Sequence, residues 1–208
     1  MRKVKVCGIC DVQNVKEITA AGADFLGFIF YPGSKRFVGK TPDTSLFRQV
    51  PSGILKAGVF VDEKADMILK TSGRYNLDMI QLHGNESSDY CRSLKATGLL
   101  IIKAFGINSS FDFNELNPYM NACEFFLFDT QTINYGGSGS KFDWSKIAEY
   151  RLDKPFFLSG GIGPDDAGII KAFDHPRFFG VDINSRFETC SGHKDPHLVK
   201  AFINEIKN

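Results

Sequence analysis

Short apolar runs recur along the chain, and between them apolar positions fall three or four residues apart. The runs are KVKVCG (3–8), DFLGFIF (24–30), ILKAGVFV (54–61), LDMIQLH (77–83), LLIIKAF (99–105), EFFLFD (124–129), PFFLSG (155–160) and RFFGVDI (177–183). Runs of this length, bounded by turn residues, predict eight strands. In the first gap, Asp11 has the chemistry of an N-cap, and Val12, Val15 and Ile18 follow at helical spacing. DEKADMILKTSG and NESSDYCRSLKATG each predict a helix that runs into a glycine stop. DWSKIAEY, GPDDAGIIKAF and KDPHLVKAFINEI fill the later gaps, and GINSSFDFNELNPYM (106–120) has the weakest helical pattern.

Strand and helix alternating in this way predict an α/β protein with a parallel sheet. Eight units suit a closed (β/α)8 TIM barrel at the small end of its size range. A doubly wound open sheet is the alternative, but no G-x-G-x-x-G follows the first run. No linker, low-complexity tract or charge block interrupts the chain, so residues 1–208 read as a single domain.

Composition narrows the function classes. The 208 residues include 25 basic and 24 acidic side chains, a formal net charge of +1. That balance supplies no field for nucleic acid or an anionic membrane, so an anionic ligand must be caught by a local site. No signal peptide is visible, and no stretch approaches the roughly 20 apolar residues of a membrane span. The five cysteines, at 7, 10, 91, 123 and 190, are odd in number and scattered. A disulfide framework is not expected, and a reducing cytoplasm is the default compartment.

In a barrel the chemistry lies where strands end and βα loops begin. The residues so placed are Cys7, Arg36, Gln81, His83, Asp129, the Ser159-Gly160-Gly161 turn and the stretch from Asp182 through Asn184 to Ser185. Cys7 and Cys10 form a C-x-x-C pair, but no second pair completes a zinc site, and the position is wrong for a thioredoxin-like couple. Cys10 reads as a small buried thiol. Gly160 and Gly161, followed by Gly163-Pro164, give a turn that backbone N–H groups can turn toward an anion. DINSR (182–186) is a second such turn, and loops after strands seven and eight are where phosphosugar barrels hold phosphate. Arg36 can take a carboxylate through two parallel hydrogen bonds. Asp129 ends a run of four apolar residues. A carboxylate there, if poorly solvated, would have a raised pKa and could act as a general acid. Gln81 and His83 share one face of the fourth strand, and His83 reads as a base, a donor to ligand or a satisfied rim histidine. Gly136-Gly137-Ser138-Gly139-Ser140 has the composition of a lid.

These segments carry a resemblance. KVCGIC (5–10), AGADFLGFIFYPGSKRFV (21–38), IQLHG (80–84), FLFDT (126–130), YGGSGSKFDW (135–144), LSGGIGPDD (158–166) and GVDINSRFE (180–188) are similar, in order, to the phosphoribosylanthranilate isomerases of tryptophan synthesis. The resemblance implies an Amadori rearrangement of N-(5-phospho-β-D-ribosyl)anthranilate, with no cofactor and no metal. It implies Asp129 as the general acid that opens the ribose ring and Cys7 as the base at C2′, its thiol pKa lowered from the free value. Arg36 would hold the anthranilate carboxylate, with Gln81, His83 and Asp182 also on the substrate. Gly160, Gly161, Asn184 and Ser185 would hold the phosphate. The implied partner is a small phosphosugar, and the implied assembly a monomer or homodimer. Two departures stand out. Cys10 replaces a usual Thr and is expected to close an inhibitory disulfide with Cys7 under oxidation, read as a thiol count that falls after peroxide. Arg186 replaces a usual Gly, and either adds a cation at the phosphate or faces solvent. Another phosphosugar-barrel enzyme, or a non-catalytic phosphosugar-binding barrel, remains the alternative.

Overall fold

In a computed structural model, which describes residues 1–130 and 144–208, all eight predicted strands form and close into one parallel barrel. They are β1 (Lys3–Cys7), β2 (Phe25–Ile29), β3 (Leu55–Phe60), β4 (Met79–Leu82), β5 (Leu100–Ile107), β6 (Phe125–Thr130), β7 (Phe156–Leu158) and β8 (Phe178–Ile183). The last strand pairs with the first, Lys5 opposite Asp182, so the open-sheet alternative is excluded. Helices α1 (Val12–Ala20), α2 (Ser45–Arg48), α3 (Ala65–Tyr75), α4 (Ser88–Lys95), α5 (Ala167–Ala172) and α6 (Pro196–Lys207) fill gaps, with 3-10 turns at Phe113–Tyr119, Trp144–Glu149 and Pro164–Asp166. The lid-like run at 136–140 lies outside the described residues.

Alternation along each strand sorts side chains between two cores. Outward residues such as Val4, Val6, Leu26, Ile80 and Phe126 pack beneath the helices. Inward residues Phe25, Ala57, Met79, Ile102, Leu127 and Phe157 plug the barrel. Phe25 of β2 and Phe157 of β7 meet across it edge-to-face, centroids 5.5 Å apart. On α6, Val199, Phe202, Ile203 and Ile206 are buried, each contributing about 1.5–3 kcal/mol by removal from water.

The α1 cap is as expected: Asp11 Oδ1 accepts from the Asn14 N–H at 2.8 Å. The glycine stop at Gly73 is not. Helix α3 continues through it to Tyr75 and ends on Asn76, in the left-handed region at φ 50°. Tyr75 stacks on Phe47 at 4.4 Å, and that docking outweighs the roughly 1 kcal/mol helix penalty of one glycine. An antiparallel hairpin was not foreseen: β9 (Glu188–Cys190) pairs with β10 (His193–Lys194) beyond the barrel.

The N-terminal rim of the barrel has a repeated fastening. Asp24, Asp78 and Glu124 each precede an even-numbered strand. Their carboxylates accept from the second N–H of the strand before, at Val4 (2.9 Å), Lys56 (2.7 Å) and Ile101 (2.6 Å). Their own N–H groups donate back to the carbonyls of those same residues at 2.9 Å. The polar atoms that start β1, β3 and β5 are thus satisfied at the rim away from the strand ends that carry chemistry.

Candidate active site

Strand β1 places Lys3, Lys5 and Cys7 on one face by its period of two. Cys7 is 3% exposed, and the register sets it beside Gly27 of β2. A Cβ on Gly27 would lie 2.7 Å from Cys7 Sγ, so the thiol occupies the space that glycine leaves. One layer down, Lys5 Nζ donates to Asp182 Oδ1 at 2.9 Å, with side chains 0% and 5% exposed. Burial alone would lower the Lys5 pKa, but its interactions with the Asp182 carboxylate, and with the Cys7 sulfur once that is ionised, outweigh it and hold Lys5 protonated. Burial pushes the Cys7 thiol up, and the Lys5 and Lys194 cations only partly oppose this. The lowered thiol expected from the sequence is therefore not the state of the free protein.

Asp129, at the end of β6, stands at the same rim as Cys7, with β7 and β8 between their strands. Its side chain is 29% exposed, so the desolvated setting considered for it is not present here. His83 Nε2 lies 3.2 Å from Asp129 Oδ2, and Gln81 Nε2 lies 2.8 Å from His83 Nδ1. With the Gln81 amide donating, His83 Nδ1 accepts and Nε2 carries the proton toward Asp129. Gln81 is 1% exposed, and its Oε1 is a buried acceptor with no partner among the described residues. Both ring nitrogens of His83 thus have side-chain neighbours at the rim.

Arg36, in the loop after β2, is not a solvated basic side chain. Its Nε and Nη2 both donate to Glu188 of β9, each at 2.7 Å. Lys194 of β10, fully buried, also donates to Glu188 and reaches Asn184 Oδ1 at 2.7 Å. Burial works to raise Glu188, but the bonds from Arg36 and Lys194 prevail and hold it below the ordinary carboxylate value. Gly8, at φ 78°, leaves the room this needs: a Cβ there would lie 2.6 Å from Arg36 Cδ and 2.9 Å from Asn184 Oδ1. Cys10 is exposed, not buried as its residue type suggested, and its Sγ–H points to the Arg36 carbonyl at 3.2 Å.

Gly160 (φ 83°) and Gly161 (φ 68°) are consecutive left-handed residues, a backbone path that side chains rarely permit. Ser159 N–H donates to Phe128 O at 2.8 Å, which ties the turn to β6. Arg186 lies across this turn. Its Nη1 donates to Gly161 O at 3.1 Å, and its Cδ would sit 3.2 Å from a Cβ on Gly163. Arg186 is exposed, so its side chain both faces solvent and touches the turn. Ser185 is exposed, whereas the Asn184 carboxamide is taken by Lys194.

Cys7, His83, Asp129, Arg36 and the two small-residue turns thus all lie at the strand-end rim, while Asp182 lies beneath it. Sequence reading missed Lys5, Glu188 and Lys194. The alternation that puts Lys5 on the face of Cys7 was the available signal for the first. Among the described residues, no group of three or more His, Cys, Asp or Glu could hold a metal ion. Nor is any helix there long and apolar enough to cross a membrane.

A sequence model of the N-(5'phosphoribosyl)anthranilate (PRA) isomerase family matches residues 4–205. The chain belongs to this family. The N-(5'-phosphoribosyl)anthranilate isomerase of Parabacteroides distasonis is 44% identical over 207 residues, 98% of this chain and 92% of that protein. The crystal structure of phosphoribosyl anthranilate isomerase from Thermotoga maritima has a TM-score of 0.86 at 37% identity, covering 100% of this chain and 99% of that one. A crystal structure of the isomerase in complex with reduced 1-(o-carboxyphenylamino)-1-deoxyribulose 5-phosphate has a TM-score of 0.83 at 34% identity, with 100% and 99% covered. The stretch matched to the PRA isomerase family runs from β1 into α6, so Cys7, Arg36, Asp129, both small-residue turns and the β9–β10 hairpin all fall inside it.

Proposed function

We propose that the chain works as one barrel domain over residues 1–208 and converts N-(5-phospho-β-D-ribosyl)anthranilate to 1-(2-carboxyphenylamino)-1-deoxy-D-ribulose 5-phosphate. One observation carries this reading. An acid-base pair of the required types, Asp129 and Cys7, stands at one rim of a family barrel, with a carboxylate-binding arginine and a glycine turn beside it.

Asp129, as the general acid, gives a proton to the ribose ring oxygen. The C1′–O bond breaks and leaves an iminium at C1′. That cation acidifies the neighbouring C2′–H. The Cys7 thiolate takes this proton, and the resulting enolamine tautomerises to the ketone. Burial keeps Cys7 mostly a thiol until ligand arrives; the iminium charge and Lys5 then favour loss of the thiol proton to solvent, which leaves the thiolate as base. Arg36 receives the anthranilate carboxylate. The turn at Gly160-Gly161, the Asn184-Ser185 backbone and the Arg186 guanidinium receive the phosphate, and Gln81 Oε1 is open to a sugar hydroxyl. Asp182 serves the substrate side from beneath, by fixing Lys5. The chemistry is complete without a cofactor or a metal. The protein is assigned to the cytoplasm as a monomer or homodimer, to be resolved by gel filtration with light scattering.

The test is the decay of anthraniloyl fluorescence after protein is added to freshly generated substrate, with EDTA present and Cys7→Ala alongside. Fast, EDTA-insensitive decay that the variant loses is expected. Decay no faster than the spontaneous rate would leave a phosphosugar-binding barrel of other function.

A further inference from the structure

A guanidinium presents two forked edges to carboxylates. One is formed by Nε and Nη2, the other by Nη1 and the second hydrogen of Nη2. In Arg36 the first edge is fully spent, with Nε and Nη2 each 2.7 Å from Glu188. Nη1 has no hydrogen-bond partner among the described residues. The Arg36 side chain is 20% exposed, whereas that of Glu188 is 6% exposed.

Glu188 cannot swing freely. Lys194 Nζ and the Gly192 N–H both donate to its Oε1, the latter at 3.0 Å. Lys194 is held in turn by Asn184 and, through its backbone, by Asn14, whose Oδ1 and Nδ2 bond its N–H and carbonyl at 2.9 and 2.8 Å. The hairpin beyond β8 is thus pinned to the body of the barrel, and it pins Arg36. Two cations and one carboxylate leave the Arg36–Glu188–Lys194 group with a charge of +1, so one further carboxylate is attracted and not repelled.

We propose that Glu188 is a positioning residue for ligand recognition: by gripping the Nε/Nη2 edge of Arg36, it turns the Nη1/Nη2 edge into the site, where a ligand's aryl carboxylate binds end-on. This rests on the isomerase reading and adds a residue to it. Without the grip, Arg36 would keep its charge and lose its orientation.

The experiment compares two substrates, phosphoribosylanthranilate and the analogue made from aniline, which lacks the carboxylate. Product is followed by chromatography with wild type, Glu188→Gln and Glu188→Asp. Glu188→Gln is expected to raise KM for the carboxylated substrate at least about tenfold, the loss of one charge-assisted bond, with kcat within about threefold. KM for the analogue should move less than about twofold. Glu188→Asp keeps the charge balance around Lys194, draws the fork back, and should show the same pattern; it decides the matter if the Gln variant does not fold. Equal losses on both substrates would overturn the proposal in favour of a structural role. A lower KM for the carboxylated substrate would also overturn it, by showing that Glu188 repels the ligand. Wild type inactive on phosphoribosylanthranilate would refute the isomerase reading itself, a result distinct from either.

Discussion

Lys5→Met tests the polar layer beneath the catalytic rim. The side chain it replaces is fully buried, and its ammonium lies 2.9 Å from Asp182 Oδ1. Methionine keeps most of the stem and removes the charge, leaving Asp182 as a buried carboxylate without its counter-ion. Breaking a buried pair on one side costs about 3–5 kcal/mol. At about 2–4 °C per kcal/mol for a chain of this size, the melting temperature should fall by about 6–20 °C at neutral pH. The loss has a definite pH dependence. Burial already holds the Asp182 carboxyl up in the wild type, and without Lys5, its main offset, the folded pKa rises further above the unfolded value of about 3.9. A carboxyl so raised leaves folding unopposed below the unfolded value and destabilises as pH rises through the folded one. The deficit relative to wild type should therefore be full at about pH 8 and narrow as the pH falls toward about 4. Lys5→Met/Asp182→Leu removes both charges and should recover most of the loss, since an apolar replacement of a buried pair is often close to neutral. Thermal and urea unfolding followed by circular dichroism would measure all three. A single-variant loss below about 1 kcal/mol, a pH-independent loss, or a double variant no better than the single would refute the reasoning.

Cys7→Ala and Asp129→Asn should each lower turnover by about 10²–10⁴-fold with melting temperatures near wild type; turnover equal to wild type in either would remove that residue from its role. Because burial holds the Cys7 thiol up, iodoacetamide labelling of the Cys7 peptide, followed by mass spectrometry, should be slow at neutral pH. It should climb only on the alkaline side of the ordinary thiol range, and kcat/KM should rise over the same interval; a labelling rate already at its plateau at neutral pH would contradict this. Arg186→Ala should raise KM about tenfold with kcat little changed and weaken competitive inhibition by inorganic phosphate, as expected for one lost charge-assisted contact. Inhibition as strong as in wild type would place the guanidinium off the phosphate.

The barrel could be read from sequence because each strand carries its own signal: a short apolar run between turn residues needs no knowledge of its neighbours. The positions of Cys7, Asp129 and the Gly160-Gly161 turn were legible for the same reason, at or next to the ends of such runs. What escaped depends on contacts between distant positions. The partner of Arg36 lies 152 residues away on a strand of three residues, too short to show any period. The end of α3 was misplaced because the Phe47–Tyr75 stack, a tertiary contact, outweighs a local glycine preference. The direction of the Cys7 shift depends on how completely the barrel closes over the thiol, and residue type alone does not report that.

The carboxylate fastenings at the N-terminal rim bear on how such a chain can be rearranged. Each lies within a pair of consecutive strands, β1 with β2, β3 with β4, β5 with β6. Gly53 and Gly98, just before β3 and β5, are both left-handed turns with open space around them. A chimera that exchanges segments with a relative at these two glycines would carry every fastening intact inside its own module. The rim fastenings would pass between parents whole, and what would have to be re-matched are the opposite rim and the contacts that cross the junctions, such as Phe47–Tyr75, Lys95–Glu124 and Asp24–Lys207.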